Sequence, residues 1–268
     1  MVRSRLLLAL PLAAALIVAG CSRASEDRPN ESARLILDFQ PNAVHAGIYL
    51  ALERDFDGAE GVNLSVAAPS SSTDSVKLLL AGRAQFAILD IHDLALAREK
   101  GRDIVGVMAL VQRPLAAVAA LLSRKVDAAT AFWNAEGVAL QAKRPGMHQF
   151  KVDDYGAPPY PELVLCVSRQ TLDEDRSLVA ATVRALRRGY EETINDPESA
   201  VEALVERAHV DRAATARELD AVSPAFTEGV TRYGELDPKA LAAWARWEAR
   251  FGITKRPPDV ARAFAPGF

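Results

Sequence analysis

Three short groups of residues carry side chains able to recognise a small molecule. Trp133-Asn134-Ala135-Glu136 sets an indole, an amide and a carboxylate close together. Such a set can stack a flat ring and exchange hydrogen bonds at its edge, with Tyr49, Tyr160 and Phe39 as further aromatic candidates. The same residues would also serve as a helix start, with Asn134 capping and Glu136 in the first turn. Asp90, His92 and Asp93 follow the apolar stretch Phe86–Leu89, which would deliver Asp90 to the carboxyl edge of a sheet, where open α/β folds hold ligands. Asp38, Asn42 and His45 end another such strand; Asp38 either reaches a cleft or caps the Gln40-Pro41 turn, and Asn42 and His45 either contact a ligand or open a helix. The sequence has no glycine-rich phosphate loop, GxSxG elbow, HExxH or CxxC, so neither a metal nor a cofactor is expected. His148 and His209 lie in polar stretches and are expected to be solvated.

The elements that must position these groups follow from periodicity. Strands are expected at Arg34–Phe39, Val62–Ala67, Phe86–Leu89 and Ile104–Leu110, alternating with helices at Val44–Arg54, Thr73–Ala81 and His92–Lys100. That alternation indicates a parallel sheet flanked by helices, with Gly82 and Gly101 at helix C-termini. Residues 79–87 can be laid on residues 121–129, each a helix end, a basic turn and a short strand. The overlay either reflects any two αβ units or marks two related lobes facing one cleft. Ala157-Pro158-Pro159-Tyr160-Pro161 forces an extended connector before the apolar strand Glu162–Ser168. The remainder is helical, near 173–194, 197–208, 212–222 and 238–250, with Asp196-Pro197 and Asp237-Pro238 as cap and first-turn proline. Trp244 and Trp247 share a helix face and belong to a core.

Composition narrows the class. The 268 residues are half apolar and a quarter charged, with 32 Lys+Arg against 35 Asp+Glu and a net charge of −3. This is a globular chain without the basic footprint of a nucleic-acid binder. Arg3 and Arg5 precede the 14-residue apolar run Leu6–Ala19, too short for a comfortable membrane span and suited to a signal-peptide core. The run ends in Val18-Ala19-Gly20-Cys21, which resembles a lipobox, so Cys21 is the expected lipidation site after removal of residues 1–20. Losing two arginines would take the mature chain to about −5. Residues 21–33 would then tether a lipid-anchored protein to the outer face of a bacterial membrane. Cys166, in an apolar run, is expected to be buried and unpaired.

Five blocks resemble one family. They are Leu37–Tyr49 (LDFQPNAVHAGIY), Leu80–Phe86 (LAGRAQF), Val111–Leu115 (VQRPL), Trp133–Val138 (WNAEGV) and Tyr155–Leu163 (YGAPPYPEL), and they resemble the NMT1/THI5-like proteins. The resemblance implies a type II periplasmic-binding-protein fold, α/β in both lobes, with a two-strand hinge. It also implies a solute-binding component that passes a pyrimidine precursor of thiamine, of the hydroxymethyl or formylamino type, to an ABC permease. The expected ligand contacts are Asp38, Asn42, His45, Tyr49, Asp90, Trp133, Asn134, Glu136 and Tyr160. Such a protein would act as a monomer and not as an enzyme. Alternatives within the resemblance are a pyrimidine synthase, a sulfonate, taurine or nitrate binder, and an inactive relic. Export argues against the synthase, and Glu136 with Trp133 argues against an anion. One departure stands out: Pro114 and Lys125 are eleven positions apart, where the family has most of its second lobe. Two or more βαβ units are absent, through a minimal lobe or an internal deletion. The expected division is therefore 34–115 for lobe 1, 116–156 for a reduced lobe 2, and 157–268 for a return strand and helices packed on lobe 1. Ala116–Leu122 could continue a strand or begin a helix.

Overall fold

The structure, a computed structural model, describes residues 30–71, 74–120 and 128–268. The expected signal peptide and Cys21 lie outside them. Strand β1 (Glu31–Ile36) pairs in parallel with β2 (Val62–Ala67) and with β3 (Phe86–Asp90). Strand β4 (Ile104–Ala109) is separated from β3 by the late strand β8 (Leu163–Ser168), antiparallel to both, so the order is β2-β1-β3-β8-β4. The expected parallel sheet is thus mixed, because the returning chain fills its centre. The expected tether is also too long by its last three residues: Glu31–Ala33 pair with Val62–Leu64.

Alternation along β8 shows how the sheet is covered. Leu163, Leu165 and Val167 face a core shared with α1 (Ala46–Glu53), α7 (Arg176–Asn195) and α8 (Pro197–Ala208). Val164 and Cys166 face a second core with α4 (Ile91–Glu99), α10 (Pro238–Arg250) and α11 (Val260–Ala263) around fully buried Trp244. The buried Cys166 thiol is pushed far up by burial. Shorter helices α2 (Phe56–Ala59), α3 (Asp74–Leu80) and α6 (Arg169–Glu174) fill the connections. Local chemistry sets the ends. Gly82 and Gly101 take left-handed φ of 65° and 76° after α3 and α4. Asp196 and Asp237 accept backbone N–H groups of α8 and α10 with proline in the first turn.

The chain leaves this sheet through Leu110–Leu115 and builds a smaller one from β5 (Ala116–Ala120), β6 (Ala128–Phe132) and β7 (Gln149–Lys151), ordered β6-β5-β7 and antiparallel throughout. It returns through residues 157–162. The described part of Ala116–Leu122 is therefore strand, and β6 does not repeat β3, which has a parallel neighbour. Of the second copy read from sequence, only Ala128 and Ala129 lie within the described residues, in β6. Helices α5 (Glu136–Lys143) and α9 (Arg212–Val222) bridge the small sheet and the first-lobe loops.

Helices α1 and α7 meet at backbone contact. A Cβ on Gly47 would lie 2.3 Å from the Tyr190 ring, and one on Gly189 would lie 2.1 Å from the Gly47 carbonyl oxygen. Tyr190 cannot give way, since its ring stacks on Tyr233 at 4.5 Å and its hydroxyl donates to the Val44 carbonyl at 2.6 Å. Gly47→Val or Gly189→Val is expected to destabilise by about 1–3 kcal/mol, read as a lower urea midpoint at unchanged m.

Candidate functional site

The loop after β1 is fixed by its own side chains. His45, fully buried, accepts the Asn42 N–H at Nδ1 (3.2 Å), which leaves Nε2 as the protonated nitrogen donating to Asp38 Oδ1 at 2.8 Å. Asn42 accepts the Val44 N–H at Oδ1 (3.1 Å) and donates from Nδ2 to the Gln40 carbonyl (3.1 Å). Tyr190 holds the Val44 carbonyl from behind. Asp38 and Asn42 therefore face the space between the two sheets from a braced turn.

That space is a cavity of about 650 Å³, within the ordinary range for a small-ligand site. Its first-lobe wall carries Asp38, Phe39, Asn42 and Asp90; the opposite wall carries Phe132, Asn134 and Glu136, with Glu218 reaching in from α9. Phe39 is 57% exposed, a ring with an open face. Five acidic side chains line the cavity (Asp38, Asp90, Asp93, Glu136, Glu218) and, among the described residues, no lysine, arginine or histidine does. Burial pushes the Asp90, Asp93 and Glu218 carboxyls upward, and for Asp93 the Asp90 charge adds to it. Asp90 also caps α4, accepting the His92 N–H at 2.7 Å. Asn134 is 1% exposed, and its Oδ1 has no hydrogen-bond partner.

Asn134 does not cap α5; Ala135 holds that position, and the Glu136 carboxylate reaches back to the Phe132 N–H at 3.0 Å. The bland reading of the Trp-Asn-Ala-Glu block therefore fails for Asn134, and five of the nine expected contacts, Asp38, Asn42, Asp90, Asn134 and Glu136, share one hollow.

The other four stand behind it. Trp133 is buried, donates its indole N–H to the Pro114 carbonyl at 2.8 Å and carries the Lys151 ammonium 4.0 Å from its ring centroid. It fastens β5 to β7 and does not line the cavity. Phe132 takes the cavity side instead, because adjacent residues leaving a strand point to opposite faces. That alternation was the signal available in the sequence. His45 acts through Asp38 and Asn42 without lining the cavity. Tyr49 is buried in the α1 core. Tyr160 is buried beneath the floor, its hydroxyl 3.2 Å from His92 Nε2 and its ring against Trp247.

Beneath Asp90 lies a buried polar cluster. Glu162 is 1% exposed, its Oε2 accepts the Leu115 N–H at 2.5 Å, and its Oε1 has no hydrogen-bond partner among the described residues. Burial first, then the Asp90 charge, pushes Glu162 up to about 8. For His92 burial opposes the charged form, but hydrogen bonding of Nδ1 to Glu248 and the nearby Asp90 and Glu162 carboxyls hold it at about 9. One ligand atom each from Asp90, His92 and Glu162 lie within 4.8 Å of one another, a spacing a metal ion could use. Both His92 nitrogens and one oxygen of each acid already have protein partners.

The chain resembles known proteins at both levels. It is 26% identical over 252 residues to the formylaminopyrimidine-binding protein of Halalkalibacterium halodurans, covering 72% of this chain and 76% of that one. Its fold matches the periplasmic aliphatic sulphonate binding protein SsuA of Escherichia coli, with a TM-score of 0.68 at 12% identity over 88% of this chain and 93% of that one. It also matches the periplasmic nitrate-binding protein NrtA of Synechocystis, with a TM-score of 0.58 at 10% identity over 87% and 86%. The fold is that of the periplasmic binding proteins. The sequence profile described as NMT1/THI5 like matches residues 42–121 and 116–200, two segments that overlap where the chain passes into the small sheet, and together they place this chain in the NMT1/THI5-like family.

Proposed function

We propose that the protein is the solute-binding component of an ABC importer and that its cavity takes an aminopyrimidine precursor of thiamine, in the formylamino or hydroxymethyl form. The family and the name of the Halalkalibacterium relative support the class of ligand. The observation that carries the reading is the cavity itself: an open Phe39 ring on one wall, Phe132 on the other, and carboxylates at the edges. A flat ring with an exocyclic amine can stack on the phenyl groups and donate to the acids. A sulfonate or nitrate would meet five acidic groups and no lining cation among the described residues. Binding, not catalysis, is the proposed activity. Among the described residues, the hydroxyls that line the cavity are those of Ser75 and Thr130, and Ser75 donates to the Leu37 carbonyl at 2.6 Å. The protein would work as a monomer, export and lipidation at Cys21 would hold it beside its permease, and closure would bend the two crossings at Leu115 and Pro158–Pro161.

Isothermal titration of the purified protein with hydroxymethyl- and formylaminomethyl-pyrimidine, taurine and nitrate tests the reading. Heat is expected with the pyrimidines alone; tight taurine or nitrate binding without a pyrimidine response overturns it. Phe132→Ala is expected to weaken pyrimidine binding about tenfold, the worth of one stacking contact. Trp133→Phe is expected to leave affinity within about twofold while lowering stability by about 1 kcal/mol for the lost Pro114 hydrogen bond.

A further inference from the structure

We infer that the cavity selects a positively charged ligand: an aminopyrimidine bearing a primary amine in its ammonium form, in preference to the neutral N-formyl or hydroxymethyl forms. The inference rests on the aminopyrimidine part of that reading and replaces its neutral side group with a charged one.

The polar inventory of the walls is one-sided. Asp38, Asp90, Asp93, Glu136 and Glu218 offer acceptors, and no described lining residue supplies a positive charge. Carboxylates held around a shared hollow repel one another, and a cation between them relieves that repulsion while neutral ligands leave it in place. Asn134 supplies a second, independent observation: it lines the cavity at 1% exposure with an unpartnered acceptor oxygen, awaiting a donor.

Donors are scarce by comparison. One of the two Asn42 amide N–H groups is spent on the Gln40 carbonyl, and the Ser75 hydroxyl on the Leu37 carbonyl. A formyl oxygen would have to be met by the second Asn42 N–H, the Asn134 amide, or Thr130 and Gln40, which are exposed at the cavity edge. An ammonium brings three donors and a charge. The Phe39 and Phe132 rings add to the preference, since an aromatic face attracts a cation.

The test is calorimetric titration of the full chain at pH 7 with the 5-aminomethyl, N-formylaminomethyl and hydroxymethyl forms of 4-amino-2-methylpyrimidine. EDTA throughout keeps a bridging metal from supplying the charge. The amine is expected to bind at least about tenfold more tightly than either neutral form, with an advantage that shrinks as salt rises from about 0.05 to 0.5 M. Asp38→Asn combined with Glu218→Gln, checked for native circular dichroism, is expected to cost the amine several-fold more affinity than the formyl compound. If the formyl compound binds as tightly as the amine or better, the charge inference falls and the pyrimidine reading stands. If none of the three binds, both fall.

Discussion

Glu162→Leu is expected to destabilise the protein by about 3–5 kcal/mol, and Glu162→Gln by about 1 kcal/mol or less. Leucine fills similar space, so the difference isolates the polar atoms. Glu162 sits where the chain crosses back into the large sheet. Its side chain accepts the Leu115 N–H from the outgoing crossing, its backbone N–H donates to the Val111 carbonyl at 3.1 Å, and its carbonyl accepts the Ile91 N–H at 2.9 Å. Leucine strands the buried Leu115 N–H and removes a polar group beside Asp90 and His92. Each buried group left unpaired costs about 1–3 kcal/mol. Glutamine keeps a carbonyl oxygen to accept the Leu115 N–H and, like the protonated acid, carries no charge. Guanidinium unfolding of the two variants beside the parent checks this, and equal midpoints would show that the carboxyl does not tie the crossings together.

The sequence made the large sheet legible because its signals are local. Strand and helix periods alternate cleanly from Arg34 to Leu110, glycines mark the ends of α3 and α4, and Asp-Pro pairs open α8 and α10. The small sheet is less legible. Ala116–Ala120 is rich in helix formers and becomes strand through its two antiparallel neighbours, a tertiary choice that overrides propensity. The same division holds in the cavity. Asp90 ends β3 and Asn134 comes two residues after β6, so both could be placed from spacing. Glu218 reaches the cavity from a helix far along the chain, and nothing near it in sequence marks it. Trp133 drew attention as the larger aromatic, yet the indole N–H needs a partner when buried, and the Pro114 carbonyl supplies it. Phe132, lacking a polar atom, was the ring that could be left facing an open hollow.

Stability is expected to fall as pH rises from about 5 to 9, by on the order of a few kcal/mol. Glu162 is raised from 4.5 to about 8 in the folded protein. The fold therefore keeps a proton the unfolded chain has lost, and this contribution is full below pH 4.5 and disappears as pH climbs through 8. His92 is raised from 6.5 to about 9, so its contribution is full below 6.5 and disappears through 9. Both act in one direction because both protons sit in the same buried cluster. Exposed acids with lowered values, such as Asp103 beside Arg98 and Asp196 beside Ser199, act in the opposite sense only under acid conditions. Thermal unfolding from pH 5 to 9 should show the decline in the parent. Glu162→Gln, which cannot ionise, should be flat to about pH 6.5 and fall only above it. A parent profile level across this range would mean that neither Glu162 nor His92 keeps its proton beyond its ordinary range, and that the crossing at Leu115 is held by an ionised carboxylate.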